Sequence, residues 1–262
     1  MAIISAIIVT IIGILAIVFW PKENPENPYD GVFENSEPVE NKILENNPKN
    51  ILGDVSETTK CYTERLDTII NDVHLAIYIP HNASPELLVG RPDSNRKDII
   101  LLVQAADIRA DNHKILGAFV LKGEPLAWGV SKKGFCAIID GKMTVGVSEN
   151  SPLFEEATEK GGYFFRQFPL VDKGDLVENE VKKKSMRKAL CHRYGQFFIA
   201  VSETDESYHD FAQALIDLGV ENAISLVGGH SAYGWSIDGN GNQVIFSEED
   251  NKYKNESYLL WK

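Results

Sequence analysis

The stretch Ser185–Trp235 constrains the fold more than any other part of the chain. It reads SMRKALCHRYGQFFIAVSETDESYHDFAQALIDLGVENAISLVGGHSAYGW. Met186–His192 and Gln196–Ser202 are apolar-rich runs separated by Arg193-Tyr194-Gly195. That spacing predicts two strands joined by a tight hairpin, with glycine supplying a positive φ. Ser207 is placed to cap a helix, and Asp210 three positions on makes a capping-box variant with Asp instead of Glu or Gln. Phe211, Ala212, Leu215, Ile216 and Leu218 then recur at helical spacing, and Gly219 is a natural stop. Ala223–Val227 reads as a short buried strand that runs into Gly228-Gly229-His230-Ser231, a loop whose backbone can come close to a ligand.

Ahead of this stretch the composition changes twice. Residues 1–20, MAIISAIIVTIIGILAIVFW, carry no charged side chain. An apolar run of that length covers the ~30 Å hydrocarbon core as a helix. Trp20 suits an interfacial anchor, so the segment is expected to be a single-span transmembrane helix. Residues 21–50 are rich in Pro, Asn and Glu without apolar periodicity, which predicts an extended acidic stalk. The remainder, 51–262, suits one globular domain with a substantial core. The net charge of −12, with no basic stripe, argues against a nucleic-acid partner. Cys61, Cys136 and Cys191 are too widely spaced for a zinc site or a disulfide framework. Cys136 and Cys191 lie in apolar runs and read as buried thiols, with one disulfide as the alternative.

Most of the domain reads as strand. In Thr68–Pro80, Val73, Leu75, Ile77 and Ile79 alternate with more polar or smaller residues, predicting a strand pair or one long strand with one face to the core. Ile51–Leu66 is mixed, either an amphipathic helix or an irregular lead-in. The continuous apolar run Ile99–Ala106 predicts a central strand buried on both faces, ending in Asp107-Ile108-Arg109. Leu116–Trp128 and Phe135–Val147 read as hairpins, the second turning at Asp140-Gly141. Leu153–Lys160 reads as a short helix. The aromatic run Tyr163–Phe168 reads as core strand, with a sugar-stacking platform as its functional alternative. Asn255-Glu256-Ser257 matches the N-glycosylation pattern. Tyr258–Trp261 reads as an edge strand. The fold class expected is α+β: a single domain with a mixed, strand-rich sheet and few helices behind an N-terminal transmembrane helix.

Arg187-Lys188-Ala189, Phe198–Ser202, Phe211–Gly219 and Ser225-Leu226-Val227-Gly228-Gly229-His230-Ser231 together resemble the C-terminal signature of the phosphodiester glycosidase (uncovering-enzyme-like) family. That signature has an Arg-Thr/Ser-Ala strand, a second strand, a helix ending in Leu-Gly, then Asn-Leu-Asp-Gly-Gly-Gly-Ser-Ser. The resemblance extends upstream to about Ile99. The chain departs from the pattern where Val227 replaces the Asp before the glycines, His230 the third Gly, and Ala232 the second Ser. Ala105-Ala106-Asp107 stands where the family has Asn-Gly-Gly-Phe.

The resemblance implies a hydrolase of phosphate-linked or other anionic glycans, with a carbohydrate or sugar-phosphate as ligand. It also favours an extracytoplasmic position for the domain, attached to the membrane by the N-terminal helix. Arg187 carries over as a bidentate anion ligand. Gly228, Gly229 and Ser231 carry over as substrate-binding positions. His230 is a candidate acid or base, since imidazole titrates near neutral pH. Glu203, His209 and Asp107 are further candidates for the chemistry, and Arg109 for substrate binding. No cofactor is fixed by the sequence; a divalent metal is one option, although no metal-ligand motif is present. The alternative is a non-catalytic glycan-binding or interaction domain on the same fold.

Overall fold

The computed structural model describes residues 59–129, 132–246 and 253–262. The expected anchor, the stalk and the start of the 51–262 domain lie outside the described residues. Among the described residues no helix is long and apolar enough to cross a membrane.

In chain order the strands are β1 (Tyr62–Ile70), β2 (Val73–His81), β3 (Pro85–Val89), β4 (Leu101–Gln104), β5 (Phe119–Leu121), β6 (Glu124–Ala127), β7 (Gly134–Ile139) and β8 (Lys142–Val147). The short helix α1 (Leu153–Glu159) follows, then β9 (Tyr163–Gln167), β10 (Pro169–Asp172), β11 (Asp175–Leu176), β12 (Ser185–Arg193) and β13 (Gln196–Glu206). Helix α2 (Tyr208–Asp217) leads to β14 (Asn222–Ser225), β15 (Gly234–Ile237), β16 (Gln243–Ile245) and β17 (Ser257–Trp261).

These strands form three sheets rather than the one mixed sheet expected. Their orders are β1-β2-β13-β12-β14-β10-β11, β16-β15-β4-β17-β3 and β6-β5-β9-β7-β8. Every pairing between neighbours is antiparallel. Where strands consecutive in the chain pair, as in β1–β2, β7–β8 and β12–β13, short two-residue turns explain this, because each returns the chain beside the strand it left. Asn71-Asp72, Asp140-Gly141 and Tyr194-Gly195 all take positive φ at both turn residues. In β13–α2–β14 the helix crosses over β12 and leaves β13 and β14 running in the same direction on either side of it.

Helix α2 begins and ends as its sequence dictates. The Ser207 hydroxyl accepts the Asp210 backbone N–H at 3.0 Å, a cap that stabilises by about 1 kcal/mol. At the other end Val220 N–H bonds to Leu215 O at 3.0 Å and Gly219 N–H to Ile216 O at 2.7 Å. This paired closure needs the left-handed backbone that Gly219 adopts, φ +88°. Phe211, Ala212, Ala214 and Leu215 are buried against Val73, Leu75, Ile77, Ala189, Cys191 and Ala223 of the seven-stranded sheet. Burying a side chain the size of Phe211 or Leu215 contributes about 1.5–3 kcal/mol.

The opposite face of that sheet, carrying Ala76, Tyr78, Leu190, Ile199 and Ile224, packs on the two five-stranded sheets through Leu101, Val103, Phe119, Cys136, Phe165 and Leu259. Both faces of β2 are therefore covered, where one was expected. Helix α1 covers the outer face of the third sheet at Ala157 and Phe164. Phe164 and Phe165 are fully buried, which places this part of the aromatic run in the core. Two further expectations change. Tyr62–Leu66, read as helix or irregular, is the first half of a hairpin strand. Tyr258–Trp261 lies between β3 and β4, so it is an interior strand rather than an edge. All three cysteines are free, with Cys136 and Cys191 buried.

Candidate functional site

Strand β4 is buried along its length, because β15 and β17 flank it and both its faces are covered. Its last residues open into a cavity of about 350 Å³. Gln104 and Asp107 enter from this strand end, Val227 and Ser231 from the loop after β14, and Tyr253 and Glu256 from the segment leading into β17. The sequence pointed to the ends of β4 and β14 separately. The fold brings them to one place.

Two carboxylates line this cavity, each held from behind. Glu256 is 7% exposed and accepts the Tyr258 phenol at 2.6 Å. Tyr258 stands opposite Gln104 in the β17–β4 register. Burial, then the Glu256 carboxylate, push the Tyr258 phenol well above the usual tyrosine range, so it remains a donor at any physiological pH. Asp107 accepts from the Lys132 ammonium, whose side chain is almost wholly buried. Burial pulls Lys132 below the usual lysine range, and the Asp107 carboxylate opposes that shift.

Behind Asp107 runs a continuous polar network. Lys132 Nζ donates to Gln167 Oε1 at 2.9 Å and lies 4.5 Å from the Phe168 ring centroid. Gln167 Oε1 also accepts the Ser225 hydroxyl at 3.2 Å, and Gln167 Nε2 donates to Ala105 O at 3.2 Å. Beside Ser225 stands Tyr208, whose phenol is raised by burial. The Arg187 guanidinium stacks on the Tyr208 ring at 3.9 Å. A network in which each member is satisfied holds its end groups in fixed positions.

The sequence-derived candidates are distributed as follows. Asp107 and Ser231 line the cavity. Arg187 reaches the edge of the network through the Tyr208 ring, but its Nε donates to Glu206 O at 2.8 Å and its Nη2 to Lys183 O. His230 lies outside the cavity, 71% exposed and 3.4 Å from Asp205. Glu203 pairs with Arg65 at 2.6 Å. His209 pairs with Glu178 at 2.8 Å in a separate depression beside Asn71 and Lys184. Arg109 is engaged by Asp111 at 2.9 Å. Gly228 packs against β12, where a Cβ would meet Met186 O at 2.6 Å. The Gly229 N–H donates to the same carbonyl at 2.8 Å. The two glycines thus allow close packing of backbone on backbone.

Sequence reasoning missed Glu256, Gln104, Lys132 and Tyr208. Gln104 was the legible one, being the sole polar side chain inside the apolar run Ile99–Ala106. Glu256 was read only within a glycosylation pattern. Among the described residues no group of three or more His, Cys, Asp or Glu is placed to hold a metal ion. No step through a metal is derived.

No protein-family model matches the chain, and no curated protein matches it by sequence. Solved structures do. The catalytic domain of zebrafish N-acetylglucosamine-1-phosphodiester alpha-N-acetylglucosaminidase, auto-inhibited by its pro-peptide, is similar with a TM-score of 0.56 and 17% identity, over 77% of this chain and 82% of that one. A hypothetical protein from Synechocystis is similar with a TM-score of 0.53 and 12% identity, over 78% of this chain and 62% of that one. The phosphodiester glycosidase resemblance read from the sequence therefore holds at the level of fold.

Proposed function

We propose that this chain is a phosphodiester glycosidase-like hydrolase whose sugar sits in the cavity at the ends of β4 and β14. The observation that carries this reading is the meeting of Asp107 and Glu256, two carboxylates from distant parts of the chain, in one cavity. Hydrolysis at a sugar carbon needs one group to protonate the leaving oxygen and another to activate water or stabilise positive charge on the ring. Two carboxylates in different settings are suited to that division. Asp107 sits against a cation and suits the ionised role. Glu256 is the more buried of the two and takes the proton-donor role in this reading. The fold likeness to a glycosidase catalytic domain supports the hydrolase reading. The phosphate of the substrate would reach Glu256 through its bridging oxygen, the leaving oxygen, with the rest of the anionic group extending toward the cavity mouth. With residues 1–20 as a membrane anchor and 21–50 as a stalk, the domain would act on envelope or extracellular glycans.

Full-length protein offered aryl-phosphodiester and sugar-1-phosphodiester substrates tests the proposal. Turnover that Glu256→Gln abolishes supports it. Absence of turnover by folded protein, with sugars still bound, favours the binding-module alternative. The observation behind that alternative is Val227, an apolar side chain on the cavity wall where the related pattern has a carboxylate.

A further inference from the structure

Among the described residues the most exposed large apolar side chain is Trp128, at 70%. The other two described tryptophans, Trp235 and Trp261, are buried. Trp128 lines a second cavity, of about 410 Å³, together with Phe154, Asn150, Ser151, Glu155 and Arg166. We propose that this cavity is a glycan subsite. It takes a further sugar residue of the chain whose reacting sugar sits in the first cavity. This rests on the reading of the first cavity as a carbohydrate site and extends it: the substrate is an oligosaccharide or longer glycan rather than a single sugar.

The wall matches the two characters of a sugar ring. An indole left in water keeps a broad apolar face uncovered, which the C–H face of a sugar can bury. The Asn150 amide, the Ser151 hydroxyl and the Glu155 carboxylate on the same wall supply donors and acceptors for the hydroxyls around the ring. The frame of this wall is fixed before a ligand arrives, which lowers the cost of binding. The Arg166 guanidinium donates to the carbonyls of Lys132 at 3.1 Å, Ser148 at 2.6 Å and Glu149 at 2.9 Å. Phe154 packs edge-on against the buried Phe164, with ring centroids 5.6 Å apart. Ala118 N–H donates to Gly129 O at 3.0 Å, anchoring the residue after Trp128.

The two cavities are neighbours. Leu116 lines the first and Ala118 the second, and two residues of chain span at most about 7 Å. Lys132 joins them from behind. Its ammonium holds Asp107 of the first cavity, and its carbonyl is held by Arg166 of the second. One glycan lying over Leu116–Ala118 can therefore reach both.

The test is a calorimetric titration of full-length protein, Trp128→Ala and Trp128→Tyr with chitohexaose, cellohexaose and maltohexaose, beside the single sugars N-acetylglucosamine and glucose. At least one hexaose is expected to bind the unaltered protein about ten-fold or more tightly than its own single sugar. Trp128→Ala should remove that preference. Trp128→Tyr, which keeps an aromatic face, should retain most of it. Equal unfolding midpoints for the three proteins would show that the loss is not one of folding. A hexaose bound equally by the unaltered protein and Trp128→Ala, or no better than its single sugar, would overturn the inference and leave the first cavity as a carbohydrate site. Turnover of a sugar phosphodiester with no hexaose bound would do the same. The expected preference and its loss, without any turnover, would uphold the subsite and overturn the hydrolase reading instead. Failure of every sugar to bind folded protein, with no turnover, would overturn both.

Discussion

Arg187 and Glu256 are both charged, both more than nine-tenths buried, and only one faces a space a ligand could fill. Arg187 donates to the carbonyls of Glu206 and Lys183 and stacks on Tyr208. Its bonding ties the segment before β12 to the start of α2. Glu256 has one donor behind it and the cavity in front. The difference teaches that residue type and motif position do not assign a role by themselves. A side chain whose hydrogen bonds all go to backbone holds the fold together, and one with capacity left over can act on something else.

Five substitutions would break or sharpen this contrast. The largest effect is expected at the cavity. Asp107→Asn and Glu256→Gln should each lower kcat/KM by about 10²–10⁴-fold, the range for a lost acid or base, measured by steady-state turnover on a sugar phosphodiester. Arg187→Met should act on stability instead, costing about 2–3 kcal/mol for charged hydrogen bonds and the Tyr208 contact, as read by urea unfolding. Its kcat/KM should fall far less than that of either carboxylate variant.

Next comes Lys188, the neighbour of Arg187 on β12. Its ammonium is 3% exposed, donates to Ala232 O at 3.0 Å and is pulled by burial from 10.5 to about 8. Between those values the unfolded chain holds a proton that the folded chain has released, so stability should rise with pH from about 8 to 10.5. Lys188→Met removes this penalty and should stabilise at pH 7 by about 2 kcal/mol, after allowing for the lost hydrogen bond. The gain should shrink above pH 10, a shift readable from paired unfolding curves. The smallest effect is expected at His230→Ala. Its partner Asp205 is exposed as well, so the change in unfolding free energy should stay below about 1 kcal/mol.

Local order was legible because local chemistry decides it. The turns at Asp140-Gly141 and Tyr194-Gly195, the Ser207 cap and the Gly219 stop each rest on residues within a few positions. The cavity was half legible. Ile99–Ala106 was recognisable as a buried strand, and Asp107 at its end was a reasonable candidate. Glu256 was not, because its place depends on β17 sliding between β3 and β4. Ser257 makes that junction by accepting the Ala106 N–H at 3.0 Å across 151 positions of sequence. No local pattern encodes such a pairing. For the same reason Glu203, His209 and His230 were all candidates for the chemistry in sequence, yet each meets a different charged neighbour in the fold.

The most direct test is the ratio of two losses measured on one substrate. With kcat/KM determined for the unaltered protein, Glu256→Gln and Arg187→Met on the same sugar phosphodiester, the account predicts a loss at least about ten-fold larger for Glu256→Gln. An equal or larger loss in Arg187→Met, with its fold intact, would contradict it and move the chemistry from the cavity to the guanidinium beside Tyr208.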